Sequence, residues 1–225
     1  MGRYERNIKT LSVEENERLK DFRVCVIGCG GIGGYVIEML GRLGIGHITA
    51  VDGDNFCESN LNRQILSSNK TMGKNKAETA RDRMKDVNDL IEVTAVPEFI
   101  NKDNILDIIE GHHVVIDALD NIETRLLLQD ACEKAGIPLV HGAIGGWYGQ
   151  VTSIFPGDRT LDVIYEDKDQ KGIEKTLGNP SFTPALIASI QVSEAVKILI
   201  NKKDTLRNKM LVVDLLSQDF EVINL

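Results

Sequence analysis

Apolar positions along this chain keep two rhythms that take turns. Short, continuous apolar runs at residues 23–27, 47–52, 91–96, 114–117 and 138–143 have the length and β-branched content of buried strands. Between them the apolar positions fall at helical spacing. One helix is predicted over 31–43, closed by Gly44 and Gly46; others follow over 75–87, 104–110 and 122–136. Before the first strand, Ser12-Val13-Glu14-Glu15 has the form of a capping box opening a short helix to about Asp21. Strands alternating with helices predict an α/β fold, a Rossmann-like, doubly wound and mostly parallel sheet with helices on both faces.

The last third changes rhythm. A strand at 148–155, reached by a short turn at Gly145-Gly146, and a closing hairpin at 209–214 and 219–224 predict antiparallel C-terminal strands. Thr183-Pro184 is read as capping and starting a long apolar helix to about Ile200. Residues 158–175 are rich in charge without clear periodicity and read as a mobile loop. With 225 residues and no repeat, the expectation is a single domain (1–225). Within it, 1–22 form an N-terminal helical arm, 23–143 an α/β core, and 144–225 a part with antiparallel strands.

The bulk numbers narrow the function classes. A net charge of −8 disfavours broad nucleic-acid binding through phosphate neutralisation. No apolar run is read as membrane-spanning and the N-terminus lacks a signal-peptide core, so a cytoplasmic protein without a membrane partner is expected. Cys25, Cys29, Cys57 and Cys132 form no C-x-x-C pair, which suggests neither zinc nor a redox dithiol. Cys25 and Cys132 read as core filler. Cys29 sits where a helix N-terminus can lower a thiol pKa, but its position in a glycine turn favours the same plain reading.

Chemistry enters with a spaced series. Gly28-Cys29-Gly30-Gly31-Ile32-Gly33 joins the first strand to the first core helix, where backbone amides and the helix dipole meet a phosphate; Gly34 is read as easing helix–strand packing. Asp52 lies about 20 residues beyond the glycines, where an acid binds ribose hydroxyls. Dinucleotide-dependent dehydrogenases share both features. Arg63 and Lys76 separate the readings: a planar guanidinium and an amine near a helix start suit a triphosphate, and hydride transfer needs neither. Asp120, beyond the strand end at Asp117, is placed to hold Mg2+ on the phosphates, or to cap the following helix.

These motifs resemble those of the HesA/MoeB/ThiF family, bacterial relatives of ubiquitin-activating enzymes. The likeness runs essentially end to end, from Arg3-Tyr4-Glu5-Arg6-Asn7 through Gly28–Gly33, Asp52 to Asp54, Ser59 to Gln64, Gly73 to Lys76 and Asp120-Asn121 to the apolar helix at 189–199. It implies ATP-dependent adenylation of the C-terminal carboxylate of a small ubiquitin-fold carrier ending in Gly-Gly. It also implies that Asp54, Asn60, Gln64 and Asn121 join the nucleotide site. Arg6 would reach a partner's triphosphate in a homodimer with two composite sites. Many relatives carry two C-x-x-C pairs for structural zinc; this chain has neither, so no zinc is expected. Residues 155–200 contain no cysteine to take the carrier covalently, so activity is expected to stop at the acyl-adenylate. The 158–175 stretch matches in position the segment that folds around an incoming carrier tail, and a merely disordered loop stands equally with that reading.

Three rivals compete: a tRNA-modifying dehydratase of the threonylcarbamoyladenosine type using the same ATP site, an NAD-dependent oxidoreductase, and a non-catalytic nucleotide-binding scaffold. The acidic charge opposes the first, the unexplained Arg63, Lys76 and Asp120 the second, and the complete phosphate-binding set the third.

Overall fold

Eight strands form one sheet among the described residues, 2–166 and 177–225 of the computed structural model. They are β1 (Arg23–Ile27), β2 (His47–Val51), β3 (Glu92–Val96), β4 (Val114–Asp117), β5 (Leu139–Gly145), β6 (Tyr148–Ile154), β7 (Lys209–Asp214) and β8 (Asp219–Asn224). Their order is β3-β2-β1-β4-β5-β6-β7-β8. The first five run parallel and the last three antiparallel, as the two rhythms predict. The α-helices bounded within the described residues are α1 (Val13–Arg18), α2 (Gly31–Leu43), α3 (Lys76–Val87), α4 (Ile105–Ile109), α5 (Ile122–Ala135), α6 (Thr160–Ile164) and α7 (Phe182–Leu199).

Each central strand feeds two cores. Val24 and Val26 of β1 join the side covered by α2, α3 and α7, whereas Cys25 and Ile27 join the side covered by α4, α5 and α6. That double burial explains why the strands read as unbroken apolar runs. Helix starts follow local chemistry: Ser12 and Glu15 complete the capping box of α1, and Asn75 and Asn121 cap α3 and α5. Gly44 and Gly136 take left-handed conformations at the ends of α2 and α5.

Four expectations are corrected. The capping role read for Thr183 is not observed: α7 begins at Phe182, and the Thr183 hydroxyl donates to the Gly146 carbonyl at 2.7 Å, pinning the helix to the β5–β6 turn. Helix α7 is also long and apolar enough to cross a membrane by length and composition. Half of it is buried within the fold, however, with Gln191 and Glu194 in internal hydrogen bonds, the condition of a core helix. Residues 158–166 are not a structureless loop. Leu161 is buried and Ile164 and Tyr165 pack on the core, so the charges conceal a short amphipathic helix, α6. Arg159 ties it down through Asp130, Glu133 and Asp162 at 2.6–2.7 Å. The remainder of that expected loop, 167–175, lies outside the described residues. Finally, Gly34 faces Leu66 and Ile65 rather than a strand; the close approach belongs to Gly33, where a Cβ would run into the Gly28 carbonyl.

Two histidines are enclosed. His112 lies between the Thr49 hydroxyl (2.7 Å) and the Ile109 carbonyl (3.0 Å), and His141 lies beside Asp117. Burial lowers both imidazole pKa values, and the Asp117 carboxylate offsets only part of this at His141. On unfolding, each takes up a proton at about pH 6.5 that the native state resists. Their stabilising contribution is therefore complete above that pH and declines as the pH falls below it, by up to about 1.4 kcal/mol per pH unit for each. Urea denaturation between pH 7.5 and 5.5 should show the midpoint falling with pH; a flat or rising profile would refute the neutral assignment.

Candidate functional site

The chain turns away from β1 in both directions: β2 and β3 lie on one side, β4 and β5 on the other. In such sheets ligands bind at that switch point, outside the carboxyl ends of the strands. An open cavity of about 380 Å³ lies there. The glycine turn forms its floor. Gly28, at φ +97°, takes a conformation that favours glycine, and a Cβ there would meet the Ala118 carbonyl oxygen at 2.6 Å. Gly30 is the N-cap of α2, so the first amides of that 13-residue helix face outward without intrahelical partners. Gly33 does not line the cavity; its role is the close packing against Gly28.

Asp52 lines the cavity with both oxygens engaged: one accepts from the Cys29 amide and the other from the Asp54 amide, each at 2.8 Å. Burial holds its carboxyl above the ordinary value. The glycine turn and Asp52 are thus one hydrogen-bonded unit. Cys29 is enclosed behind it, with burial and the Asp52 charge pushing its thiol well above the usual range, so it is filler rather than a nucleophile. Cys25 and Cys132 are likewise buried, and Cys132 is pushed up to about 12 by burial.

The two cations converge on this floor from different elements, a turn and a helix start. Arg63 stands beside Gly31, its Cγ 3.8 Å from where a Gly31 Cβ would sit. One guanidinium nitrogen donates to the Ser59 carbonyl (2.8 Å) and the Asn62 side chain (2.9 Å). Asn60 does not line the cavity: it is buried, holds the Cys57 amide, and accepts from the Arg63 and Gln64 amides, so it shapes the turn that carries them. Gln64 lines the wall with its side-chain oxygen buried and unpartnered among the described residues. Lys76 opens α3, is largely buried, and pairs with Asp54 at 3.1 Å. The Asp54 carboxylate is more than half exposed, so the amine reaches the cavity already neutralised by a partner that can turn to water.

Asp120 and Asn121 complete the rim beyond β4. Asn121, not Asp120, is the helix cap, accepting from Thr124 at 2.8 Å, which leaves the exposed Asp120 carboxylate free of that task. Among the described residues no group of three or more His, Cys, Asp or Glu could enclose a metal ion. A lone rim carboxylate suits Mg2+, which keeps its waters and is shared with substrate phosphates. Arg6 is exposed on the N-terminal arm and does not line the cavity of its own chain.

Several lining residues went unread in the sequence: Phe99 and Glu98 after β3, Arg125 on the first turn of α5, and Asn179. Only Arg125 carried a signal, standing one helical turn beyond the capping Asn121.

The description of the ThiF family matches residues 4–225. The SAMP-activating enzyme E1 of Haloferax volcanii is 34% identical over 99% of this chain and 84% of its own length. The molybdopterin-synthase adenylyltransferase of Salmonella typhimurium is 33% identical over 100% and 92%. Among solved structures, that of E. coli MccB with ATP superposes with a TM-score of 0.83 at 21% identity, covering 99% of this chain and 70% of that one, a likeness of fold. With its glycine turn, paired cations and rim acid carried in one end-to-end match, the chain belongs to the ThiF family.

Proposed function

We propose that this protein adenylates the C-terminal carboxylate of a small ubiquitin-fold sulfur-carrier protein ending in Gly-Gly, consuming ATP and releasing pyrophosphate. One observation carries the reading: Arg63, Lys76 and Asp120 meet around a glycine turn at the switch point of the sheet. Relatives named as adenylyltransferases support it.

The chemistry follows from charge. A carboxylate oxygen attacks the α-phosphorus of a polyanion, and the bond to the departing pyrophosphate breaks. The nucleophile is already ionised, so no general base is required; the barrier lies in anion–anion repulsion and orientation. The α2 amides and Asp52 fix the nucleotide, and Arg63 and Lys76 stabilise charge on the phosphates. Mg2+ at Asp120 would add charge neutralisation there. Arg6 enters from the second subunit of a homodimer.

The test is ATP–pyrophosphate exchange with purified enzyme, a panel of Gly-Gly-ended ubiquitin-fold carriers, and bulk tRNA. Exchange that appears with one carrier and disappears when its terminal glycines are removed supports the reading. Exchange with tRNA alone would move the protein to carboxylate activation on a nucleoside, and silence with every addition would count against an adenylating enzyme.

A further inference from the structure

Behind the Asp120 turn lies a buried polar cluster that substrate binding alone does not require. Asp117 ends β4 and is fully buried. One of its oxygens accepts from the Leu119 amide at 2.9 Å, and the other accepts from His141 Nδ1 at 2.6 Å. The Arg125 guanidinium, also buried, lies 3.8 Å from that second oxygen and donates to the Leu119 carbonyl at 2.6 Å. Both peptide groups of Leu119, the residue just before Asp120, are therefore held by one ion pair. Arg125 further donates to the Tyr165 hydroxyl at 3.0 Å, and that hydroxyl meets His141 Nε2 at 3.2 Å. With Nδ1–H given to Asp117, Nε2 is the acceptor and Tyr165 O–H the donor. Tyr165 follows α6 directly, so the cluster links the Asp120 turn to the 160–166 segment.

A buried carboxylate and guanidinium cost desolvation, and such a pair is weak grounds for stability alone. What this pair delivers is orientation. A turn outside a strand end has few constraints of its own, and here its backbone is gripped from two sides. We propose that Arg125 and Tyr165 are positioning residues, which with Asp117 lock the Leu119 backbone so that the Asp120 carboxylate stands ready for the metal-bound phosphates. This rests on the reading that Asp120 meets that metal ion. Residues orienting a metal-binding group commonly change metal affinity by about 10–100-fold when altered.

The experiment measures ATP binding by calorimetry twice, in EDTA and across a Mg2+ titration, without carrier, for the wild type, Arg125→Lys, Tyr165→Phe and Asp120→Asn. Arg125→Lys keeps a cation beside Asp117 and shortens its reach to Leu119; Tyr165→Phe removes one hydroxyl and no charge, which guards against a misfolded variant. Both should raise the Mg2+ concentration at half-saturation, Arg125→Lys by about 10-fold, while for Tyr165→Phe, whose side chain does not line the cavity, ATP affinity in EDTA stays within about twofold. Asp120→Asn should lose most of the Mg2+ response. A normal Mg2+ response in the two positioning variants, with that of Asp120→Asn lost, would overturn the clamp alone. ATP affinity in EDTA falling in parallel for Tyr165→Phe would mean general damage to the cavity and would also overturn it. A normal response in Asp120→Asn would overturn the metal reading and the clamp with it.

Discussion

Replacing Arg63 with alanine should lower carrier-dependent ATP–pyrophosphate exchange by about 10²–10³-fold, the loss expected when one preorganised charge donor is removed from a reacting centre. Arg63 is the cleaner of the two cations to remove. Its side chain contacts only the Ser59 carbonyl and the Asn62 side chain among the hydrogen bonds described, both exposed, so no buried charge is stranded. Lys76 is largely buried against Asp54 and opens α3, so its loss would disturb the fold as well as the phosphates. Stability of Arg63→Ala should stay within about 1 kcal/mol of the wild type, which at this chain length is a shift of about 2–4 °C in Tm. Exchange kinetics and a thermal melt check both halves. Unaltered exchange would mean that the triphosphate lies elsewhere; a collapsed melt would mean that Arg63 is structural.

How far the site was legible in the sequence depends on how local each part is. Gly28, Gly30, Gly31 and Asp52 were readable because one βαβ unit places them, and the backbone of that unit is fixed by short-range geometry. Arg63, Lys76 and Asp120 were readable as a joint spacing. The division of labour among neighbours was not. Asn60 and Asn121 share motifs with Gln64 and Asp120, yet their side-chain oxygens accept from the Cys57 and Thr124 amides, because each stands where a turn or helix needs a cap. Asp117 joins His141 across 24 positions, and Arg125 joins Tyr165 across 40. No periodicity marks such pairs, since they arise only when β4 lies beside β5 and α6 packs under α5. Helix α6 was missed for a related reason: Arg159, just before it, pairs with Asp130 and Glu133 of α5, and a linear reading takes that charge for solvated.

The second large effect concerns Arg6. On its own chain the arm docks at the far end of α2: the Tyr4 ring lies against Gly44, Asn88 donates to the Tyr4 hydroxyl at 2.7 Å, and Asn7 donates to the Leu43 carbonyl at 3.2 Å. The glycine turn stands at the opposite end of that helix. Thirteen residues of α-helix span about 20 Å, more than an arginine side chain can bridge. Arg6 is therefore held away from the glycine turn of its own chain, and a catalytic role requires a second subunit to present it. Arg6→Ala and Asp120→Ala should each abolish exchange when assayed alone. Mixed in equal amounts and allowed to exchange subunits, half of the dimers are hybrids, and each hybrid has one site with both residues intact, so about a quarter of wild-type activity should return. Subunit mixing is confirmed with differently tagged chains before the assay. Restored exchange near that level can come only from sites built across two subunits, because neither chain carries a complete set. No restoration in verified hybrids, or full activity of Arg6→Ala alone, would remove the arm from the reaction and leave each subunit acting with the residues of its own cavity.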